Sequence, residues 1–244
     1  MQSLPSRLWL LSFIALALVV PAKANDARTA PRAVVELFTS QGCSSCPPAD
    51  RLLGELSIRE DVVALSYHVD YWDYAGWTDT FGAEENTTLQ RNYAAAWRAS
   101  RIYTPQMVIN GQKGVVGSRR AEVNGALAKA ELVLPVALSI DDNMLAITVP
   151  GQAGLAEAVI WVVAFVKKAD VAIERGENSG ETITYAHVVT RRQAVGMWEP
   201  GAGATLKLPF AEMLTKDCDG IAVLVQEERN GLPGPILGAA TISR

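Results

Sequence analysis

Two cysteines stand three positions apart in the segment ELFTSQGCSSCPPAD, residues 36–50. Redox dithiols, metal sites and structural disulfides all use such a C-x-x-C pair. The loop that Cys43 and Cys46 would close is too short to restrict the unfolded chain much, which weakens the interpretation as a structural clip. The spacing therefore favours thiol–disulfide exchange, and the alternative is an inherited disulfide without turnover.

The elements around the pair assign a role to each sulfur. Residues 33–39 are rich in Val, Leu and Phe and predict a buried strand, and residues 50–58 carry leucines at helical spacing. Pro47 and Pro48 fit the first turn of that helix, so it begins near Ser45 or Cys46 and puts Cys43 at its positive end. We expect Cys43 to be the attacking thiol with a lowered pKa, and Cys46 to be the buried resolving thiol.

A metal site is the second hypothesis for the same cysteines. Two thiolates and one imidazole suit Cu(I), and the chain has only two histidines, His68 and His187. His68 ends the second predicted strand, residues 61–68, whose carboxyl end lies at the same sheet edge as the C-x-x-C. Cys43, Cys46 and His68 are thus the candidate copper ligands. The competing interpretation is a histidine hydrogen-bonded among the aromatic residues that follow it.

Residues 67–81, which we call the aromatic loop, hold six of the chain's 17 aromatic residues. No lysine or arginine occurs from Glu60 to Gln90. Tyrosine and tryptophan provide amphipathic area that suits a polypeptide or a small ligand. We take Tyr71, Trp72 and Trp77, together with Thr104, as candidate partner-binding residues. The alternative is a small satellite core over the edge of the sheet.

The pattern of apolar and polar residues changes near Pro135. Before it, the pattern predicts a helix over residues 83–99, a hairpin at Asn110-Gly111 and a helix over residues 119–132. After it, short alternating strands predict a mostly antiparallel, sandwich-like β domain over residues 135–244, separate and without catalytic groups. Within this domain, residues 174–180 (ERGENSG) have the composition of a solvated loop, and Cys218 between two aspartates is expected to be unreactive.

The order strand, C-x-x-C, helix, strand, helix, X-Pro, hairpin, helix over residues 33–132 resembles the thioredoxin fold. The resemblance implies that Thr104-Pro105 is the cis-proline bond facing the cysteines, which makes Pro105 a site residue. Thioredoxins carry a buried aspartate six positions before the first cysteine, where this chain has Leu37. Glu36, one residue earlier, is the candidate for that carboxylate.

The segments VELFTSQGCSSCPPAD, HVDYWDYAGW, YTPQMVING and RGENSG together resemble the secreted bacterial family called domain of unknown function 1223. The resemblance spans most of the chain that follows residue 24. It implies the fold and assigns no activity.

Residues 1–24 have the pattern of a secretory signal peptide, with an apolar stretch and an A-x-A site ending at Ala24. Cleavage there removes two of the 22 basic side chains and none of the 26 acidic ones, which leaves a formal charge of −6. We therefore expect a periplasmic or secreted protein that binds no nucleic acid and does not insert stably into membranes.

The sequence as a whole predicts an exported α/β thioredoxin-like domain followed by a β domain, acting as a thiol–disulfide oxidoreductase. Its partner is expected to be a protein or small-molecule thiol or disulfide, and it needs no cofactor beyond its own disulfide. Two alternatives remain: a Cu(I) metallochaperone and a non-catalytic binding module.

Overall fold

The structure is a computed structural model in which residues 26–28 and 31–243 are described. The predicted signal peptide, residues 1–24, lies outside this part. The strands are β1 (Asp26–Arg28), β2 (Ala33–Thr39), β3 (Val62–His68), β4 (Gln106–Ile109), β5 (Lys113–Val116), β6 (Ala137–Asp141), β7 (Met144–Val149), β8 (Ala158–Ala172), β9 (Thr182–Trp198), β10 (Ala204–Pro209), β11 (Gly220–Arg229) and β12 (Leu232–Ser243). The helices are α1 (Pro47–Ser57), α2 (Glu84–Ala96), α3 (Arg120–Leu127) and α4 (Phe210–Met213), with a 3₁₀ helix over Asp73–Ala75. None of the helices in the described residues has the length and apolarity required to cross a membrane.

A nine-stranded mixed sheet dominates this α/β architecture. Its strand order is β1-β12-β11-β8-β9-β3-β2-β4-β5. The pairs β2–β3 and β3–β9 are parallel, and the other neighbours are antiparallel. Strands β2 and β3 are buried along their whole length, as continuous apolar runs in the middle of a covered sheet should be.

Helices cover both faces of the sheet around β2. On one face, α1 packs Leu52, Leu53 and Leu56 into a cluster with apolar side chains of β2, β3 and β4, and α3 adds Val123 and Leu127. On the other face, α2 packs Leu89 and Tyr93 against side chains of β2, β3, β8 and β11. The alternation of side chains along β2 therefore divides its residues between two cores.

A second sheet, antiparallel and three-stranded with order β10-β7-β6, packs against the large one. Leu145, Ile147 and Val149 of β7 share a core with Ile160 of β8 and Val223 of β11. The alternating burial along β7 and β10 agrees with the period-2 pattern that predicted strands in this half of the chain.

The hairpin of β8 and β9 connects the second half of the chain to the first. These strands are 15 and 17 residues long, and β9 pairs with β3 at Ser66↔Val188. The connection between them, residues 173–181, is called the hairpin loop below. Ile173 and Ile183 at its base form a cluster with Tyr185, against which Trp77 packs.

The large sheet runs across the predicted boundary near residue 135. Strands on both sides of that boundary contribute to one core cluster, in which Phe38 and Leu65 lie with Val163, Phe165 and Leu224. Sequence alternation could not indicate this pairing, because it identifies the buried face of a strand without identifying its neighbours.

The shared sheet predicts that residues 33–132 do not fold on their own. Without β9 and β8, the fragment exposes an unpaired edge of β3 and one apolar face of the sheet. We expect this fragment to show no cooperative urea transition by circular dichroism, whereas residues 25–244 show one. A sharp transition for the fragment alone would contradict this expectation.

Candidate active site

Cys43 and Cys46 form a disulfide at the N-terminus of α1. Pro47 is the first helical residue and Cys46 precedes it as the cap, which confirms the predicted start. Both cysteines are 0 % exposed, although Ser44 and Ser45 between them lie at the surface. The disulfide is therefore covered by neighbouring groups in this state.

Thr104 contacts the disulfide directly. Its Oγ1 donates a hydrogen bond to Cys43 Sγ at 3.3 Å and accepts one from Trp72 Nε1 at 2.7 Å. The Thr104–Pro105 bond is cis, which confirms that prediction, and Pro105 is buried immediately before β4. A hydroxyl donor at Cys43 favours the charged form of this sulfur whenever the disulfide is open.

Gln41 ties the segment before Cys43 to the aromatic loop. Its backbone N–H donates to Asp79 Oδ2 at 2.8 Å, and its side-chain Nε2 donates to Thr80 Oγ1 at 2.9 Å. Its Oε1 accepts from Trp77 Nε1 at 2.8 Å. The segment that leads to Cys43 is thus held by these three hydrogen bonds to the aromatic loop.

The hairpin loop closes on the C-x-x-C from the second half of the chain. The buried Asn178 donates through Nδ2 to the carbonyl oxygens of Gln41 at 2.8 Å and of Cys43 at 3.1 Å. Glu177 Oε2 accepts from the Ser44 hydroxyl at 2.6 Å and from its N–H at 3.2 Å. The sequence predicted a solvated loop here, and the contact arises because the long β8–β9 hairpin carries these residues to the edge of the sheet.

A buried cluster of Asp50, His68 and Asp79 lies beside the disulfide, and we call it the acid–histidine cluster. His68 Nδ1 is hydrogen-bonded to Asp79 Oδ2 at 2.8 Å, with both side chains fully buried. Asp50 lies one helical turn after Cys46, and its backbone N–H donates to the Cys46 carbonyl at 3.1 Å. The side-chain Oδ1 of Asp50 accepts a hydrogen bond from the Thr39 hydroxyl at 2.8 Å. Within the described residues, Asp50 Oδ2 and His68 Nε2 have no hydrogen-bond partner.

The pKa values of the two carboxyls in this cluster are shifted in opposite directions. Burial raises the pKa of Asp50 to about 7, against the opposing charge of His68 and the hydroxyl of Thr39. Burial also opposes ionisation of Asp79, but His68 and the N–H groups of Gln41 and Phe81 hold its pKa below the ordinary value. The cluster therefore contains one carboxyl that ionises readily and one that resists ionisation until near neutrality.

The geometry adds no support to the copper hypothesis. No group of three or more His, Cys, Asp or Glu side chains in the described residues is arranged to hold a metal ion. His68 is engaged by Asp79 and lies edge-on to Tyr185, with ring centroids 4.6 Å apart. His187 is hydrogen-bonded through Nδ1 to the carbonyl of Ala64 at 2.9 Å.

Glu36 is fully buried on the α2 face of β2. Its Oε2 accepts from Tyr93 Oη at 2.6 Å, and Gln226 and Arg192 continue this network from the second half of the chain. Burial raises the pKa of Glu36, and the hydrogen bond from Tyr93 opposes the rise. None of the hydrogen bonds described for Glu36 reaches Cys43 or Cys46, so its predicted role at the site has no contact to support it.

The aromatic loop combines packing with exposure. Trp77 and Tyr71 are partly buried and donate to Gln41 and Gln90, respectively. Trp72 stacks on Tyr74 with their rings at 15°, and Tyr74 is 82 % exposed. The exposed aromatic surface beside Thr104 is thus made by Trp72 and Tyr74.

Sequence reasoning missed Asp50, Gln41, Glu177 and Asn178. Asp50 carried a usable signal, because it lies four positions after Cys46 and so faces the same side of the helix. The other three lie in segments that carry the family resemblance, but the resemblance assigned them no role, since their contacts depend on segments that meet only in the folded chain. Cys218, expected to be unreactive, is buried in the core between the two sheets beside Thr190.

A family model described as "Protein of unknown function (DUF1223)" matches residues 34–226. The chain is also similar to the X-ray crystal structure of a protein from Agrobacterium tumefaciens, at 37% sequence identity and a TM-score of 0.79. That match covers 88% of this chain and 95% of the other. No curated protein matches.

The raised pKa of Asp50 predicts a specific pH dependence of stability. Between the unfolded value of 3.8 and about 7, the folded state binds more protons than the unfolded state, so stability falls as pH rises through this interval. Asp50→Asn keeps the bond from Thr39 without titrating. The free energy of unfolding of wild type, relative to this variant, should drop by on the order of 3 kcal/mol from pH 4 to pH 7.

Urea unfolding of the oxidised protein at several pH values measures this difference. Asp217→Asn, at an exposed position, is the matched control and should follow wild type. Parallel curves for wild type and Asp50→Asn would show that Asp50 ionises normally.

Proposed function

Because the chain belongs to the family described as Protein of unknown function (DUF1223), whose name records no activity, we propose a function from its own geometry: thiol–disulfide oxidoreductase. The observation that carries the proposal is the Cys43–Cys46 disulfide at the start of α1, with Thr104 Oγ1 donating to Cys43 Sγ at 3.3 Å. A helix N-terminus and a hydroxyl donor both stabilise a thiolate at Cys43.

The fold proposed for the first half is thioredoxin-like. Its support is the chain order β2, α1, β3, α2, β4, β5, α3, with β3 parallel to β2 and with β4 and β5 antiparallel. The C-x-x-C begins the first helix of this unit, at the carboxyl end of β2. We also retain the export proposal for residues 1–24, since an oxidising compartment preserves a disulfide of this kind.

In the proposed reaction, the Cys43 thiolate attacks one sulfur of a partner disulfide, and the other partner sulfur leaves as a thiolate. The Cys46 thiolate then attacks Cys43 Sγ, which forms the intramolecular disulfide and releases the second partner thiolate. The protein loses two electrons and the partner gains two, and the reverse sequence oxidises a partner dithiol. No metal or organic cofactor takes part in this sequence.

Access to the sulfurs requires a local movement. Both cysteines are 0 % exposed, and the groups over Cys43 are Thr104, which Trp72 orients, and the hairpin loop through Asn178. At the cysteines, both covers are held by hydrogen bonds between side chains and backbone or hydroxyl groups. Opening of one cover is therefore part of the proposed reaction cycle.

The assignment of the two thiols predicts an asymmetry in trapping. Cys46→Ser leaves Cys43 able to attack but removes the group that resolves the mixed disulfide, so partners should accumulate on Cys43. Cys43→Ser should trap few partners or none. The measurement is a non-reducing gel of acid-quenched cells that express each variant with residues 1–24 present.

Equal trapping by the two variants would reverse or void the assignment. If the double variant Cys43→Ser/Cys46→Ser still bound the same partner, the cysteines would be only structural and the binding-module alternative would hold.

The exposed aromatic surface predicts a preference for polypeptides. Tyr74→Ala should slow attack of the reduced protein on insulin disulfides several-fold, because it removes an exposed ring stacked on Trp72. The same variant should attack a small aromatic disulfide reagent at the wild-type rate. Ile58→Ala is the control, since Ile58 is 78 % exposed at the opposite end of α1. Equal rates with insulin for all three proteins would exclude this surface as a binding site.

A further inference from the structure

The hairpin loop places a carboxylate against Ser44, the neighbour of Cys43 in the chain. Glu177 Oε2 lies 3.2 Å from the backbone nitrogen of Ser44, the residue that follows Cys43, and 2.6 Å from its hydroxyl oxygen. We propose that Glu177 makes the Cys43–Cys46 disulfide harder to reduce, in opposition to Thr104 and the helix N-terminus, and so shifts the protein toward giving electrons to its partners. This inference rests on the proposed function and adds a direction to it.

The argument follows from the charges of the two redox states. The disulfide is neutral, and its reduction by two electrons and one proton leaves one thiol and one thiolate, the latter on Cys43. A carboxylate next to that position repels the thiolate and has no comparable effect on the neutral disulfide. Glu177 also accepts the hydrogen bond of the Ser44 N–H, so this backbone donor next to Cys43 is not available to the thiolate. Both effects disfavour the reduced state.

Glu177 is held in place by its neighbours in the hairpin loop. The next residue, Asn178, is anchored in the C-x-x-C segment by its two hydrogen bonds. The preceding residue, Gly176, has φ +78, and a Cβ there would lie 3.1 Å from Trp77 Cβ and 3.2 Å from the Ala75 carbonyl oxygen. This close approach to the aromatic loop fixes the backbone on both sides of Glu177.

The carboxylate of Glu177 is charged at neutral pH. Hydrogen bonds from the Ser44 hydroxyl and then from its N–H hold the pKa of Glu177 below the ordinary value. No ion pair involves Glu177 in the described residues.

The test compares Glu177→Gln with a charge-matched control, Glu181→Gln. Glu181 is exposed in the same loop, and its side chain makes no hydrogen bond in the described part of the chain. Each purified protein is equilibrated with mixtures of reduced and oxidised dithiothreitol, quenched with acid, alkylated and analysed by mass spectrometry. We expect the equilibrium constant for reduction to be roughly threefold larger for Glu177→Gln than for wild type, about 14 mV in potential. Glu181→Gln should match wild type.

A second readout separates charge from lost contacts. The difference between wild type and Glu177→Gln should shrink in 1 M salt, because this salt concentration screens charges beyond a few ångströms. In the reduced proteins, the pH midpoint for alkylation of Cys43 should be lower in Glu177→Gln.

Equal potentials for wild type and Glu177→Gln, or a variant that is harder to reduce, would overturn the inference. So would an equal shift in Glu181→Gln, which would assign the effect to net charge. The equilibrium uses no partner protein, so its outcome is independent of the trapping experiment that tests the proposed function.

Discussion

The side-chain amide of Asn178 is the contact on which the arrangement of the site depends. Its two hydrogen bonds join backbone carbonyls of Gln41 and Cys43 to a residue 135 positions beyond Cys43. A buried carbonyl left without a donor costs about 1–3 kcal/mol, so Asn178 stabilises the observed shape of the C-x-x-C segment beneath the docked hairpin loop. The position of Glu177 at Ser44 and the cover over the disulfide both follow from this docking.

Hydrogen bonds of Gln41 also attach the C-x-x-C segment to the aromatic loop. Asp79 accepts from both Gln41 and His68, which links the approach to Cys43 with the carboxyl end of β3. Much of the aromatic loop is therefore structural, as the satellite-core alternative proposed, and the exposed part is limited to the surface of Trp72 and Tyr74. The two interpretations of this loop apply to different residues within it.

Local patterns predicted the local parts of this structure. The start of α1 at Pro47, the cis bond before Pro105 and the turn at Asn110-Gly111, where both residues have positive φ, depend on neighbouring residues or on the thioredoxin resemblance. Sequence reasoning could not find that β9 pairs with β3, that Asn178 caps the C-x-x-C segment, or that Glu36 bonds to Tyr93 and not to the site. Those facts depend on which distant segments meet, and strand alternation is the same whichever neighbour a strand has.

The distance along the chain between the disulfide and its cover also gives the protein an order of assembly. A ribosome completes Cys43 and Cys46 long before it reaches Asn178, so the growing chain holds both thiols while the residues that cover them do not yet exist. Docking of the hairpin loop later encloses this pair. The order of synthesis therefore separates the appearance of the two thiols from their enclosure.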